Sequence, residues 1–472
     1  MTGKFIGILC ILTLARLGIM RFIGITNDEA YYWVWSRHPA LSYYDHPPMV
    51  AFIVKVFTGI LGNTPFAIHF AGLFFFTLFV VLLYNWSREM FPEPDALKGT
   101  VIVAFSPLFF LGGSVLTPDA ILSFFWVLTL MFIYRALKNK KSVYWYLSGI
   151  SAGLGALTKY SMFFVPAAIF AFLFFSKQHR GWLRKKEPYV FLLLTIIIFS
   201  PVLVWNAGNG WASFAFHLAT RHTVSFSLSR FLQFIISQLV HISPVAYVYC
   251  WLAFWALFRK GFSENNWTIK YLFFTSFPLV VMFTAASFFT GTLSHWPAFG
   301  YLGGLIAIPT LFKANKKTMF KINFALSLAI IIIYTVQVFY PFVKIKKDPT
   351  DDLYGWNDVG RQVMQISSSL PGEEFLLCSR YETGSQLSFA TGQEVYVFQP
   401  GHITAFQFWH KEGEIKGRNA LYLTHSRYFT PPERIYNFNK ITLVKEIPLY
   451  RAGRQVRTFY LYYCEDFLGV RS

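Results

Sequence analysis

Long apolar blocks alternate with short polar breaks along the first 341 residues. Eleven blocks approach the ~20 residues that carry a helix across a hydrocarbon core. They cover about 5–24, 66–84, 100–116, 119–135, 143–158, 161–176, 189–205, 236–258, 271–289, 296–312 and 320–341. The pattern predicts an all-α polytopic membrane domain over 1–341. Lys4 and the run after it could pass for a signal peptide. No small-residue cleavage site follows, so the run is read as a retained first helix. After Pro341 the texture changes. A helix is expected over 356–369, and strands over 374–379, 394–398, 419–424, 441–447 and 456–463. That mixture predicts a small C-terminal α/β domain over 342–472.

Composition agrees with a bilayer as solvent. Hydrophobic residues make up 55% and charged residues 14%, with 54 Phe. A soluble domain carries about 25% charged residues. Mean hydropathy is +0.44.

The net charge of +19 needs a location before it means anything. Residues 342–472 hold 16 Lys and Arg against 14 Asp and Glu, so the excess lies in the membrane part. With the N-terminus inside, the cytoplasmic loops become 85–99, 136–142, 177–188, 259–270 and 313–319. These collect the Lys and Arg, as the positive-inside rule requires. An odd number of helices then puts the C-terminal domain on the outer, periplasmic side of the plasma (inner) membrane. No basic, aromatic-interleaved surface suits nucleic acid.

The same map sorts the acids. Of nine Asp and Glu in the membrane part, five fall in cytoplasmic loops. The remaining four, Asp28, Glu29, Asp45 and Asp119, fall on the outer side near helix ends. Acids there are costly and often functional. The first outer loop, 25–65, is long and aromatic. It predicts an interfacial helix over 28–37 capped by Asn27, a turn at Pro47-Pro48 and a helix over 48–61.

Each acid has two readings. Asp28-Glu29 can simply suit the positive end of a helix, or can supply a general base or cation ligand. Asp119, after Pro118, can start a helix or act as a second acid. Asp45-His46 can be a solvated turn or part of a divalent-ion site. Lys159, Arg16, Arg21, Arg221 and His222 can snorkel to headgroups or clamp a phosphate. His295-Trp296-Pro297 can be an interfacial helix start or a sugar-stacking platform. Cys378 and Cys464 could pair if their domain lies outside. Neither a nucleotide-binding loop nor a zinc motif occurs, so no soluble nucleotide cofactor is implied.

The run Asn27-Asp28-Glu29-Ala30-Tyr31-Tyr32-Trp33, followed by Tyr44-Asp45-His46-Pro47-Pro48, resembles the first outer loop of GT-C fold, lipid-sugar-dependent membrane glycosyltransferases. Within them it is similar to the bacterial branch related to protein O-mannosyltransferases, the aminoarabinose transferase of lipid A and rhizobial lipopolysaccharide galacturonosyltransferases. Pro118-Asp119, Leu157-Thr158-Lys159-Tyr160, His295-Trp296-Pro297 and Tyr354-Gly355-Trp356 fit the same pattern. The resemblance implies transfer of a sugar from a polyprenyl-phosphate donor to a glycolipid, glycan or protein acceptor on the outer face. It implies Asp28 as the catalytic carboxylate, with Glu29 beside it, and Asp119 as a second acid. Lys159, Arg21, Arg221, Asp45, His46, His295 and Trp296 would meet donor phosphate or substrate. A divalent ion at Asp28, Asp45, His46 or Asp119 stays open. Two other classes also fit a polytopic chain: a lipid or glycolipid transporter without transferase activity, and a non-catalytic assembly protein.

Overall fold

The computed structural model describes residues 2–217, 225–312, 316–370, 372 and 374–471. Helix α1 (Gly3–Met20) leads into a first loop with two shorter helices, α2 (Asn27–Arg37) and α3 (Met49–Leu61). Both loop helices lie within a residue of their predicted bounds. Helix α4 (Pro65–Met90) follows, then α5 (Glu93–Ala104) and α6 (Pro107–Gly112), which divide one apolar block. The chain continues through α7 (Pro118–Asn139), α8 (Ser142–Ala156), α9 (Phe164–Phe175), α10 (Glu187–Gly208) and α11 (Ala212–Ala215). Helices α12 (Leu228–Ile242) and α13 (Pro244–Ser263) meet at 103° across Ser243. Helices α14 (Trp267–Phe274), α15 (Phe277–Ala286), α16 (Leu302–Leu311) and α17 (Lys316–Phe339) complete the apolar region.

Among the described residues, six stretches are long and apolar enough to cross a membrane: α1, α4, α7, α10, Trp267–Ala286 and the body of α17. The bent α12–α13 pair would make a seventh. Seven of the eleven expected blocks thus reach spanning length among the described residues. The other four blocks form shorter helices. Proline explains some of the breaks. Pro107 and Pro244 stand in the first turn of a new helix, where a missing N–H leaves no bond unmade.

Packing divides the chain into two compact units. The first comprises Met1–Gly18, His46–Val50 and Phe70–Ile333. Its helices approach closely through small residues, as membrane helices do. A Cβ on Gly149 would lie 2.7 Å from the Phe191 carbonyl oxygen of α10, and one on Gly153 would lie 2.6 Å from Ile198. Arg16 is fully buried here between the Phe76 and Phe110 rings, 3.8 and 4.2 Å from their centres. Its Nε donates to the Phe110 carbonyl at 3.1 Å. Outward-facing residues such as Ile11, Leu14, Leu193, Ile197 and Val204 remain exposed and apolar, which suits contact with lipid tails.

The second unit comprises Ile19–Asp45, Ala51–His69 and Tyr334–Ser472. By packing, the first outer loop thus belongs with the C-terminal segment. That segment holds α18 (Trp356–Ser367), β1 (Phe375–Cys378), α19 (Tyr381–Thr391), β2 (Val395–Val397), β3 (Ala420–His425), β4 (Tyr436–Arg451) and β5 (Arg454–Val470). The five strands form one sheet in the order β2-β1-β3-β5-β4, with β1, β2 and β3 parallel and β5 antiparallel to its neighbours. Phe375, Leu377, Tyr422, Tyr436 and Phe467 build a core on it. Every expected strand is present. The α19 helix was not anticipated.

Cys378 and Cys464 are both free. Cys464 pairs with Ala420, which pairs with Phe375 on β1. Cys378 lies three residues farther along β1, about 10 Å away at strand rise, beyond disulfide reach.

Candidate active-site residues

Helix α2 starts differently from the sequence expectation. Thr26 is the N-cap, and it forms a capping box with Glu29. The Thr26 hydroxyl accepts from the Glu29 N–H at 3.2 Å. Glu29 Oε2 accepts from the Thr26 N–H at 2.9 Å and hydroxyl at 3.1 Å. Its Oε1 meets His69 Nδ1 at 2.8 Å, with both side chains fully buried. Glu29 therefore anchors the helix start. This corrects its placing among the catalytic acids, because a carboxylate enclosed on both oxygens does not face a substrate. Asn27, expected as the cap, instead donates to Asp352 at 3.0 Å.

Asp28, one residue along, faces the other way. Its side chain is solvent-accessible, but dense protein surrounds it. No cation lies in ion-pair range of it among the described residues. Desolvation, and then the nearby charges of Glu29 and Glu382, raise its pKa from 3.8 to about 6. Asp45 accepts from the Tyr31 hydroxyl at 3.0 Å, and that hydroxyl accepts from the Ala405 N–H at 2.7 Å. Burial, followed by the charges of Glu382, Asp28 and Asp45, pushes the Tyr381 phenol far up. Asp28, Asp45 and Glu382 thus act together on Tyr381. Arg380 pairs with Glu382 at 2.7 Å.

The helix carrying Asp28 is fixed from beyond residue 350. Gln386 on α19 donates to the Ile25 carbonyl at 3.0 Å and to Asn27 Oδ1 at 3.1 Å. Asp352 Oδ1 takes Arg427 at 2.7 Å and also pairs with Arg457. Arg451 pairs with Asp351 at 2.7 Å. Sequence reasoning missed all of these partners. The available signals were the Thr26-x-x-Glu29 capping pattern and the acidic run Asp351-Asp352.

In the first unit, Asp119 enters at the start of α7, where Thr117 caps and Pro118 occupies the first turn. Lys159 stands between α8 and a short 3-10 turn. Its Nζ donates to both Asp119 oxygens, at 2.8 and 2.7 Å. His295 Nε2 lies 3.7 Å from Asp119 Oδ2. Three residues expected separately, an acid, a phosphate cation and a histidine, therefore form one cluster. Both partners of the ion pair keep some exposure. Trp296 packs near Phe283, at 5.7 Å between rings. The half-buried His46 lies 6.1 Å from the His217 ring.

Arg21 is exposed and makes no ion pair among the described residues. Arg221 and His222 fall outside the described residues. The four proposed metal ligands, Asp28, Asp45, His46 and Asp119, do not form a tight three-ligand group among the described residues. One such group, His38, Glu394 and His410, lies elsewhere.

Comparison with known proteins fits this geometry. Residues 45–205 match the family model of dolichyl-phosphate-mannose-protein mannosyltransferases. Lipid A galacturonosyltransferase RgtD from Rhizobium johnstonii is 27% identical over 321 residues, and the match spans 64% of each chain. ArnT from Cupriavidus metallidurans, solved in the apo state and bound to undecaprenyl phosphate, superposes with a TM-score of 0.65 over 97% of both chains, at 12% and 11% identity. The oligosaccharyltransferase of Archaeoglobus fulgidus gives 0.52 at 15% identity, over 84% of this chain and 62% of that one. The resemblance carried by the first outer loop therefore holds. The chain is similar in fold to ArnT and resembles the GT-C lipid-sugar glycosyltransferases.

Proposed function

We propose that the protein transfers a sugar from a polyprenyl-phosphate donor to an acceptor on the outer face of a bacterial inner membrane. The observation that carries this reading is Asp28: accessible, without a cation partner, and raised to about 6. A carboxylate with that pKa accepts a proton near neutral pH better than an ordinary Asp does. The acceptor hydroxyl gives its proton to Asp28, and its oxygen attacks the anomeric carbon. The bond from that carbon to the phosphate oxygen breaks, and polyprenyl phosphate leaves with the electron pair. A phosphate leaving group needs charge neutralisation more than acid help. Lys159, with His295 close by, is suited to that task. Asp119 would hold Lys159 in place until the donor arrives.

The named relatives support the substrate class. RgtD is a lipid A galacturonosyltransferase, and one ArnT structure holds undecaprenyl phosphate. By that analogy lipid A or another envelope glycolipid is the favoured acceptor. We further infer eleven crossings, with the shorter helices included, an inside N-terminus and an outside C-terminal segment. The charge distribution of the loops supports this topology.

The test uses purified protein, a polyprenyl-phosphate sugar and an envelope lipid acceptor, with the product read by mass spectrometry. Wild type should form a new glycosidic bond, and folded Asp28→Asn should form it about 10²–10⁴ times more slowly. Full activity in that variant would sink the assignment. Movement of a labelled lipid across vesicles, without a new bond, would favour the transporter reading instead.

A further inference from the structure

His38 ends α2 as its C-cap, ten residues from Asp28. Glu394 directly precedes β2, and His410 follows the 3-10 turn Ala405–Phe408. These three residues come from distant parts of the sequence and meet within the second unit. His410 Nε2 lies 2.9 Å from Glu394 Oε1, and His38 Nε2 lies 3.7 Å from the same oxygen. All three ligand atoms lie within 4.8 Å of one another. We propose that His38, Glu394 and His410 bind a divalent metal ion of the zinc class.

The spacing fits that ion. Tetrahedral zinc with bonds of about 2.0–2.1 Å separates neighbouring ligand atoms by about 3.3 Å. The two distances to the glutamate oxygen fall on either side of that value, so small side-chain shifts suffice. Two imidazoles and one carboxylate suit zinc better than calcium or magnesium, which prefer oxygen ligands. The rings are held by packing. Trp409 stacks on His38 at 4.4 Å, and Tyr396 lies 4.4 Å from His410. Glu394 is exposed, which leaves a face for water as the fourth ligand.

The site is distinct from Asp28. Ten helical residues span about 15 Å, so the ion sits at the opposite end of α2 from the proposed base. Its role is to clamp that end of the helix to the segments around β2 and residue 410. Coordination through Nε2 leaves the ring proton on Nδ1. His410 Nδ1 is buried with no hydrogen-bond partner among the described residues, whereas tight zinc sites supply an acceptor there. Binding should therefore be weaker than in a zinc finger and reversible by EDTA.

The experiment uses the full chain in detergent, stripped with EDTA and then titrated with zinc or cobalt(II). Wild type should take up one ion at this site and show the visible absorption of tetrahedral cobalt. Glu394→Gln and His38→Gln alter accessible side chains and should abolish the band while retaining helix content by circular dichroism. Asp28→Asn should keep it. EDTA should lower the heat-unfolding midpoint of wild type by several degrees, but not that of Glu394→Gln. Failure of wild type to bind either ion overturns the proposal. So does an undiminished cobalt band in both folded ligand variants. Neither result bears on whether Asp28 supports sugar transfer.

Discussion

Asp119 and Asp28 both stand in the first turn of a helix, one in each compact unit, yet their company differs in sign. Asp119 has the Lys159 ammonium on both oxygens and His295 beside it. Asp28 has carboxylates nearby and no paired cation among the described residues. A neutralised acid organises a cation; an uncompensated one keeps its affinity for a proton. Helix-start chemistry alone would have assigned both the same structural role. The contrast in neighbours separates an acid suited to holding charge from one suited to moving a proton.

The largest effect should come from Asp28 itself. Asp28→Asn should lower turnover by about 10²–10⁴, the usual contribution of a general base, with the fold intact. Glu29→Gln, next door, should act on stability instead. It breaks an ion pair fully buried at both ends and weakens the capping box, costing about 3–5 kcal/mol. Chemical denaturation in detergent would read this. Similar folding losses in the two variants would erase the distinction between the neighbouring acids.

Lys159→Met should cut transfer by about 10²–10³ if the ammonium stabilises charge on the leaving phosphate. Double-mutant analysis with Asp119→Asn sharpens the comparison. Coupled losses show that the pair works as a unit; additive losses would mean that Asp119 does not position Lys159.

A smaller effect concerns pH. As a base, Asp28 must be ionised, so the rate should rise through about pH 6 and then level off. Stability should move the opposite way. Its folded pKa is above the ordinary 3.8, so its contribution is full below about pH 4 and is lost as pH rises through about 6. Asp28→Asn should therefore unfold at an equal or slightly higher temperature at pH 7. Because the side chain is accessible, solvent screening keeps that gain small. A clear drop in the midpoint would contradict this account.

Much of the fold was legible because it depends on local pattern. Apolar blocks gave the helices, and short continuous apolar runs near residues 375, 420 and 460 gave the strands. Helix α19 was not legible. Its Thr383, Gly384, Ser385 and Thr391 are poor helix formers. The helix exists because tertiary packing overrides propensity: Gly384 lies so close to Val397 that a Cβ would come within 2.4 Å. At the site, residue types were readable but partners were not. Lys159 and Asp119 are 40 positions apart, and nothing local in either segment says that they meet. Asp28 and Glu29 looked interchangeable, since the choice between them depends on His69, 40 residues beyond Glu29.

The tethers on α2 also bear on how the protein is made. Asn27 bonds to a residue 325 positions later, Gln386 reaches Ile25 across 361, and Tyr31 meets Ala405 across 374. A ribosome delivers those partners only near the end of synthesis. The segment bearing Asp28 therefore emerges early but must wait, incompletely fastened, until the final quarter of the chain has been synthesised. Sugar transfer by a nascent or C-terminally truncated chain should accordingly be absent even with every membrane helix inserted. Under the proposed function, completion of the polypeptide becomes the event that arms the catalyst.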